Sequence, residues 1–343
     1  MTNPLSTNYQ RHGDVAEIQL VNPPVNGLGH EVRQSLHAHL SEAVADAQVH
    51  AIVLTGAGKM FCGGADIRQF NTPKATALPM LRDINRLIES SAKPVIAVIH
   101  GNALGGGLEL AMSCHYRIAA TGTRLALPEV KLGILPGGGG TQRLPRLVGL
   151  ERALDMIVSG EAIDASEAHA CGLLDAVVSG DLLNAALSLA RTAAQNHAAP
   201  LPVTSARHVR FNGDVAAYLQ QQRTRIAQAY HGFPAPLECL VCLETSLTMP
   251  FEEALTFERT RVQHLVDGPE SKALRYLFFA EREVGRLPSS QQALETQPDK
   301  PADARRLVAR MVLAYQCEAL LLWLEGVAPV QVDQALQSFG MAH

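Results

Sequence analysis

The first hundred residues alternate short runs of apolar, β-forming residues with longer stretches of helical periodicity. The runs EIQLV, AIVLT and PVIAVI indicate strands, because each is short and rich in β-branched residues. The predicted elements, in chain order, are a strand at 17–21, a helix at 29–46, a strand at 51–55, a helix at 75–91 and a strand at 94–99. This order of elements is typical of an α/β fold.

The helix predicted at 29–46 has a clear division into two faces. Val32, Leu36, Leu40 and Val44 recur every four residues, and polar side chains lie between them. Residues four apart lie on the same face of a helix. We therefore expect one face of this helix to pack on the core and the opposite face to contact water.

Helical periodicity dominates the chain after about residue 141, where strand-like runs become rare. The segment LPSSQQALETQPDKPADA is rich in Pro, Ser, Gln and charge, and is predicted to be a linker. The helices predicted before and after it are 181–194, 215–230, 251–266, 270–284, 305–325 and 329–338. The apolar face of 305–325 is too wide for a helix alone in water, so we expect it to dock on another surface.

The composition argues against two classes of partner. Apolar residues make up 47% of the 343 residues, but no unbroken apolar run approaches the ~20 residues of a membrane-spanning helix. The net charge is −4 and aromatic residues make up 5%, which is unlike a nucleic-acid-binding protein. The first residues, MTNPLSTNYQ, have neither a charged nor an apolar targeting segment. These features predict a soluble, cytoplasmic protein.

The six cysteines are scattered along the chain, which is typical of reduced thiols in a cytosol-like compartment. Cys239 and Cys242 have the Cys-x-x-Cys spacing found in some metal sites. Because no second pair and no cluster of histidines accompanies them, we interpret both as buried helical residues. We predict no metal site.

Four glycine-rich stretches raise the question of nucleotide binding: TGAG at 55–58, CGGAD at 62–66, GNALGGG at 101–107 and GILPGGGG at 133–140. A dinucleotide fingerprint fails at its third glycine, where the chain has Phe61 in one stretch and Leu110 in another. A phosphate loop fails at Met60, which stands where Ser or Thr is required. These glycines instead indicate places where backbone approaches a ligand closely.

Two glutamates stand in apolar or glycine-rich settings. Glu109 follows GGGL in the first turn of a predicted helix, and Glu129 lies in LALPEVKLG. The start of that helix offers free N–H groups, so Gly106, with Gly63 as a second donor, is predicted to stabilise a developing oxyanion. Two carboxyl groups at one site suit the addition of water to a polarised double bond. The alternative, equally compatible with spacing, is a helix-terminal carboxylate and an unrelated loop residue.

Three segments together resemble the enoyl-CoA hydratase/isomerase, or crotonase, superfamily. They are MFCGGADIRQF, VIAVIHGNALGGGLELAMSCHYRIA and LALPEVKLGILPGGGGTQRLPRLVG, and the resemblance covers about residues 10 to 200. It implies a crotonase-like spiral of ββα units, here followed by a helical extension. It also implies that the substrate is a thioester of CoA.

The resemblance assigns roles residue by residue. The family's oxyanion-hole amides correspond to Gly63 and Gly106, and its two hydratase glutamates correspond to Glu109 and Glu129. The family often has Ala where this chain has Gly63, a change that leaves an amide donor in place. The turn expected to line the CoA thioester comprises Gly63, Gly64, Ala65 and Asp66.

The rest of the chain resembles parts of the multifunctional β-oxidation enzymes. PFEEALTFERTRVQHLVDGPESKALRYLFFAEREVGRLP is similar to their linker helices, and the tail is similar to the start of the C-terminal region of 3-hydroxyacyl-CoA dehydrogenases. A nicotinamide-binding domain does not follow residue 287, so no dehydrogenase activity is expected. The predicted division is a catalytic core at 1–200, a helical extension over it at 201–287, a linker at 288–304 and a helical fragment at 305–343.

The resemblance implies an enoyl-CoA hydratase of fatty-acid β-oxidation that forms 3-hydroxyacyl-CoA without a cofactor. Two alternatives remain open: a 3,2-enoyl-CoA isomerase, alone or as a second activity, and a catalytically silent acyl-CoA-binding scaffold. Loops such as 70–82 are expected to shape the acyl pocket. The helices at 200–287 favour a monomer over the trimer of single-function relatives.

Overall fold

A computed structural model of the chain describes residues 6–196 and 199–284, with the backbone alone for 280–284. Within these ranges, strands form a six-stranded and a three-stranded sheet. The strands are β1 (Thr7–His12), β2 (Val15–Leu20), β3 (Ala51–Gly56), β4 (Val95–Ile99), β5 (Asn102–Leu104), β6 (Tyr116–Ala120), β7 (Arg124–Ala126), β8 (Ile163–Asp164) and β9 (Ala176–Val178).

Helices account for most of the other described residues. The α-helices are α1 (His30–Ala45), α2 (Pro73–Thr76), α3 (Leu81–Glu89), α4 (Gly106–Ser113), α5 (Gly140–Val148), α6 (Leu150–Ser159), α7 (Ala165–Ala170), α8 (Leu182–Gln195), α9 (Val215–Ala229), α10 (Pro234–Thr248), α11 (Phe251–Asp267) and α12 (Pro269–Val284). Short 3-10 helices lie at Ile67–Gln69, Pro128–Leu132 and Thr204–Ala206. Over the described ranges, no helix is both long and apolar enough to cross a membrane.

Between β4 and β7, successive strands alternate between the two sheets. The larger sheet has the order β1-β2-β3-β4-β6-β9 and is parallel except for the β1–β2 pair, whereas the smaller has the order β5-β7-β8. β4 belongs to the larger sheet and β5 to the smaller, and the same holds for β6 and β7. Because helices follow both strand pairs, the chain winds through repeated ββα turns. The predicted α/β spiral with a helical extension is confirmed.

The central strands of the larger sheet are buried on both faces. On one face, Val53 and Ile96 belong to a cluster with Ala190 of α8. On the other, Leu54 belongs to the main core with Leu36 of α1. All five residues of β4 are buried. A parallel sheet covered by helices on both sides explains why its central strands read as continuous apolar runs.

The longer predicted elements are confirmed. β2, β3 and β4 match the three predicted strands, and α1 buries Val32, Leu36 and Leu40 as its spacing requires. The helix predicted at 75–91 is shorter than expected, because α3 begins only after Pro79, which lacks the N–H that a continuous helix needs. Strand β1, the short strands β5, β6, β8 and β9 and helices α5 to α7 were not predicted as separate elements. Of α10, the sequence predicts only the helical setting of Cys239 and Cys242.

The helical extension packs on the spiral. α10 contacts α5 and α6, α11 contacts α5, and α12 contacts the 3-10 helix Pro128–Leu132. Cys239 and Cys242 are buried on α10 as free thiols, as the sequence indicates. The predicted linker 288–304 and the fragment 305–343, with its helices and Cys317, lie outside the described residues.

Candidate active site

The centre of the site is the sharp junction between β5 and α4. Gly105 adopts a φ of +51° at this junction, which an L side chain rarely adopts, and donates its N–H to the carbonyl oxygen of Ala126 at 2.9 Å. α4 then begins at Gly106 and carries Glu109 in its first turn. The positive end of the helix dipole and the N–H of Gly106 therefore lie beside a carboxylate.

A second turn, at residues 62–65, lies against this helix start. The parallel bridge between Cys62 and Ala103 extends the smaller sheet, and Leu104 donates its N–H to the carbonyl oxygen of Cys62 at 2.9 Å. A Cβ placed on Gly106 would lie 3.3 Å from the amide nitrogen of Ala65. The amides of residues 65 and 106 are therefore neighbours.

The prediction that Gly63 supplies the second oxyanion donor needs correction. Its N–H donates to the carbonyl oxygen of Val25 at 2.7 Å and is already engaged in holding the turn. The N–H groups of Ala65 and Gly106, by contrast, donate to no acceptor in the part of the chain that the structure describes. Ala65 is also exposed, so the free pair of amides belongs to Ala65 and Gly106.

Asp66, predicted to line the CoA thioester, has its carboxylate engaged in hydrogen bonds with a neighbouring residue. Its carboxylate caps the 3-10 helix Ile67–Gln69 by accepting from the N–H of Arg68. The guanidinium of Arg68 forms two further bonds to the same carboxylate, at 2.8 and 3.0 Å. This arrangement shapes the end of the turn that begins at Gly63.

Glu109 points away from its helix toward the glycine-rich turn that precedes α5. Its Oε1 accepts the N–H groups of Gly138 and Gly140, each at 2.7 Å. A Cβ on Gly138 would lie 2.7 Å from Oε2 of the same carboxylate, so the turn must be glycine to approach so closely. Glu109 is almost fully buried, at 2% exposure.

Glu129 reaches the same place from the 3-10 helix Pro128–Leu132. Its Oε1 lies 2.6 Å from the position that a Cβ on Gly105 would occupy. Its Oε2 is buried and has no hydrogen-bond partner within the described ranges. The structure therefore brings together Glu109, Glu129 and Gly106. Ala65, expected from the resemblance to line the CoA thioester, lies beside them and supplies the second free amide.

The two carboxyl groups have different environments. Burial raises the pKa of Glu109, but the N–H donors of Gly140 and Gly138 and the charge of Arg143 oppose this effect. Burial raises the pKa of Glu129 well above its usual range, and the negative charges of Glu109 and Glu258 add to the increase. Such a contrast separates a group that holds a proton from one that gives it up more readily.

A third buried carboxylate, Glu258 of α11, was not predicted as a site residue. It accepts the N–H groups of Gly139 at 2.8 Å and Thr141 at 3.1 Å, and the hydroxyl of Thr141 at 2.5 Å. Burial and the charge of Glu109 raise the pKa of Glu258 to about 8. Burial identifies Glu258 in the structure, because a glutamate is rarely as little as 1% exposed. The sequence gives no such signal, because the spacing of Glu258 is that of any position on an amphipathic helix.

A buried ion pair supports the turn from its other side. The guanidinium of Arg143 donates to both carboxylate oxygens of Glu89, at 3.1 and 2.7 Å, and to the carbonyl oxygen of Gly138 at 3.1 Å. The exposed fractions of the two side chains are 2% and 9%. This geometry fixes one positive charge close to Glu109.

The segment expected to shape the acyl pocket covers the helix start. Leu81 lies over the junction, with its Cδ2 3.3 Å from the Cβ position of Gly106 and 2.7 Å from that of Gly138. The buried guanidinium of Arg33 holds the preceding loop by donating to the carbonyl oxygens of Leu28, Lys74, Ala77 and Pro79. An apolar side chain thus lies beside the start of α4.

Most of the chain is similar in sequence to one known family. A profile described as enoyl-CoA hydratase/isomerase matches residues 10–236. The peroxisomal bifunctional enzyme of Danio rerio is 39% identical over 290 residues, which cover 83% of this chain and 39% of that protein. The glyoxysomal fatty acid beta-oxidation multifunctional protein MFP-a of Brassica napus is 38% identical over 286 residues, covering 80% of this chain and 39% of that protein.

A solved structure of an enoyl-CoA hydratase is also similar to this chain. The enoyl-CoA hydratase from Bacillus anthracis has a TM-score of 0.53 and 29% sequence identity, covering 80% of this chain and 96% of that one. The chain spans about 39% of the length of the two curated relatives. The family profile covers well over half of the residues, and the chain therefore belongs to the enoyl-CoA hydratase/isomerase family.

Proposed function

We propose that the protein adds water to a trans-2-enoyl-CoA to give a 3-hydroxyacyl-CoA. The observation that carries this proposal is the convergence of Glu109 and Glu129 on one helix start, beside the two free amides of Ala65 and Gly106. Hydration needs a base for water, an acid for the α-carbon and donors for the thioester oxygen. This site offers a group for each task.

The free amides suit the charge that develops on the thioester oxygen. When water attacks the β-carbon, electrons move through the double bond to the carbonyl oxygen, which becomes an enolate. The N–H groups of Ala65 and Gly106 would donate to this oxygen, and the positive end of α4 would add to their effect. Both donors are already fixed by the fold, so little reorganisation accompanies the reaction.

The glutamates suit the two proton transfers. Glu109, supported by two N–H donors and the nearby Arg143, would accept a proton from water as its oxygen bonds to the β-carbon. Glu129, whose pKa lies well above its usual range, would deliver a proton to the α-carbon as the enolate collapses to the thioester. The net change is the addition of one water, and the pair regains its starting state by exchanging a proton with solvent. No metal or redox cofactor is required by these steps.

The relatives' names support the physiological setting. They are called peroxisomal or glyoxysomal, and one is a fatty acid beta-oxidation protein, which supports a role in β-oxidation of fatty acids. These names lend no support to the cytoplasmic location expected from the sequence, and a peroxisome-like compartment is the better proposal. The packing of α10 and α11 on α5 supports a monomer, because helices of the same chain cover the surface of α5.

The direct test follows the conjugated enoyl-thioester absorbance of crotonyl-CoA and of a longer 2-enoyl-CoA. The purified protein should remove this absorbance, and E109Q and E129Q should each lower kcat by about 10²–10⁴-fold. E253Q, on an exposed position of α11, should retain activity. Binding of the thioester without loss of absorbance would refute hydration, and conversion of a 3-enoyl-CoA alone would identify an isomerase.

A further inference from the structure

Glu258 belongs to the helical extension, yet it binds the same turn as Glu109. The family profile ends at residue 236, so this glutamate lies beyond the matched region. In the sequence it is 119 residues from Gly139, whose N–H it accepts. The fold thus brings a carboxylate from a distant part of the sequence to the turn that holds Glu109.

The hydrogen bonds of the two carboxylates alternate along the turn. Glu109 accepts the N–H groups of Gly138 and Gly140, and Glu258 accepts those of Gly139 and Thr141. Four consecutive N–H groups at the start of α5 are thus divided between two side chains, one from α4 and one from α11. A displacement of this backbone would therefore alter the hydrogen bonds of both carboxylates.

α11 is seated on this turn by more than its glutamate. A Cβ on Gly139 would lie 3.0 Å from Cδ2 of Leu255, and a Cβ on Gly137 would lie 3.1 Å from Cγ2 of Val262. Leu255, Glu258 and Val262 have helical spacing and face the turn together. The extension therefore presses a mixed apolar and acidic stripe directly on the backbone behind Glu109.

Charged and titratable groups surround Glu258 on all the elements that pack around it. Arg143 of α5 attracts its charge, whereas Glu109 of α4 repels it. Its own charge raises the pKa of three other groups. These groups are Glu129 on the 3-10 helix and Cys239 and Cys242 on α10.

We infer that Glu258 is a positioning residue for hydration, which aligns the Gly138–Thr141 turn so that Glu109 faces the water to be activated. This inference rests on the proposed function. It assigns part of the active site to the helical extension, although Glu258 touches no reacting atom. A purely structural glutamate would contribute to stability alone, whereas a positioning residue must alter kcat in a protein that remains folded.

The test uses the full chain with E258Q and E258D, and E253Q as a control on the exposed side of α11. E258Q keeps the shape of the side chain but replaces an acceptor with an NH2 group facing a backbone donor. We expect kcat for crotonyl-CoA to fall by about tenfold to a hundredfold, with KM changed less than threefold and partial recovery in E258D. The alkaline limb of the pH profile should move to lower pH, because Glu129 loses a neighbouring negative charge.

The outcomes separate the inference from the function on which it rests. A folded E258Q with kcat within twofold of the parent and an unmoved pH profile would overturn the positioning role while leaving hydration intact. If the parent does not hydrate, the proposed function fails. An infrared difference spectrum then decides the inference without turnover. The carboxyl band that E109Q removes should shift in frequency in E258Q, because the hydrogen bonds from Gly138 and Gly140 change, and an unshifted band would refute the positioning role.

Discussion

Glu129 Oε1 lies 2.6 Å from the point where a Cβ on residue 105 would be, so the carboxyl group occupies space that is open because residue 105 is glycine. Gly105 thereby has two tasks. Its φ of +51° turns β5 sharply into α4, and its missing side chain admits the proposed acid to the helix start. The position of Glu129 depends on a neighbouring backbone as much as on its own helix.

Gly105→Ala should therefore damage activity more than stability. The added methyl group would displace the Glu129 carboxyl, and we expect kcat to fall by about a hundredfold. Gly122→Ala is the matched control, because Gly122 also has a positive φ, of +82°, but no atom lies within 4 Å of its Cβ position. Gly122→Ala should lose about 1–2 kcal/mol in the free energy of unfolding, measured in urea, from backbone strain. Gly105→Ala should lose more, because the ψ of −126° at Gly105 lies outside the left-handed helical region. Equal activities of the two variants would contradict the argument.

Arg143 should set the acidic limb of the pH dependence. Its charge lowers the pKa of Glu109, so removing it raises that pKa, and the ionised base then needs a higher pH. We expect the acidic limb of kcat/KM for crotonyl-CoA to move to higher pH in R143M/E89Q.

The double substitution is needed because a lone buried Glu89 would cost about 3–5 kcal/mol. R223M/E244Q removes a more exposed pair with a distance of 2.8 Å and serves as the control. It should leave the pH profile in place. If the acidic limb of kcat/KM does not move in R143M/E89Q, the ionisation of Glu109 is not the cause of that limb.

The pKa of Glu258 predicts an unusual stability profile. Its folded-state pKa of about 8 lies above its ordinary value of 4.5, so the folded protein binds this proton more tightly than the unfolded chain does. The stabilisation is fully present below about pH 4.5 and is lost as the pH rises through about 8. E258Q cannot titrate, so its free energy of unfolding should fall less steeply between these values. Urea unfolding at several pH values checks this, with E253Q expected to follow the parent; parallel curves for E258Q and the parent would contradict it.

Arg33 should control the loop that carries Leu81 to the site. Arg33→Met leaves the four carbonyl oxygens at Leu28, Lys74, Ala77 and Pro79 without their buried donor. We expect a loss of about 2–4 kcal/mol in the free energy of unfolding and faster proteolysis within residues 72–80. KM should rise more for a long 2-enoyl-CoA than for crotonyl-CoA. Arg82→Met, in the first turn of α3, is the control, and equal cleavage of both variants would refute the clamp.

The sequence predicts the long elements of the fold better than the short ones. The periodicity of α1 and the apolar runs of β2 to β4 were sufficient, because a long element repeats its pattern several times. β8 has two residues and β7 has three, and such strands form only because neighbouring backbone is placed beside them. The start of α3 at Leu81 shows how a single proline overrides a helical pattern.

The sequence likewise predicts some residues of the site and not others. Glu109, Glu129 and Gly106 follow from motifs, but the direction of a backbone N–H in a turn does not. The sequence therefore points to Gly63, whereas the structure gives the free amide to Ala65. Glu258 was beyond reach for a different reason. Its partners are N–H groups more than a hundred residues away, and no local pattern encodes such a contact.

The docking of α11 on the turn before α5 also bears on the order in which the protein is made. A ribosome that has synthesised the chain only to residue 250 has already produced Glu109, Glu129 and every strand of both sheets. The nascent spiral still lacks Leu255, Glu258 and Val262, so the backbone behind Glu109 is incompletely supported. The support that α11 gives to the backbone behind Glu109 is therefore acquired only after Glu109 and Glu129 have themselves been synthesised.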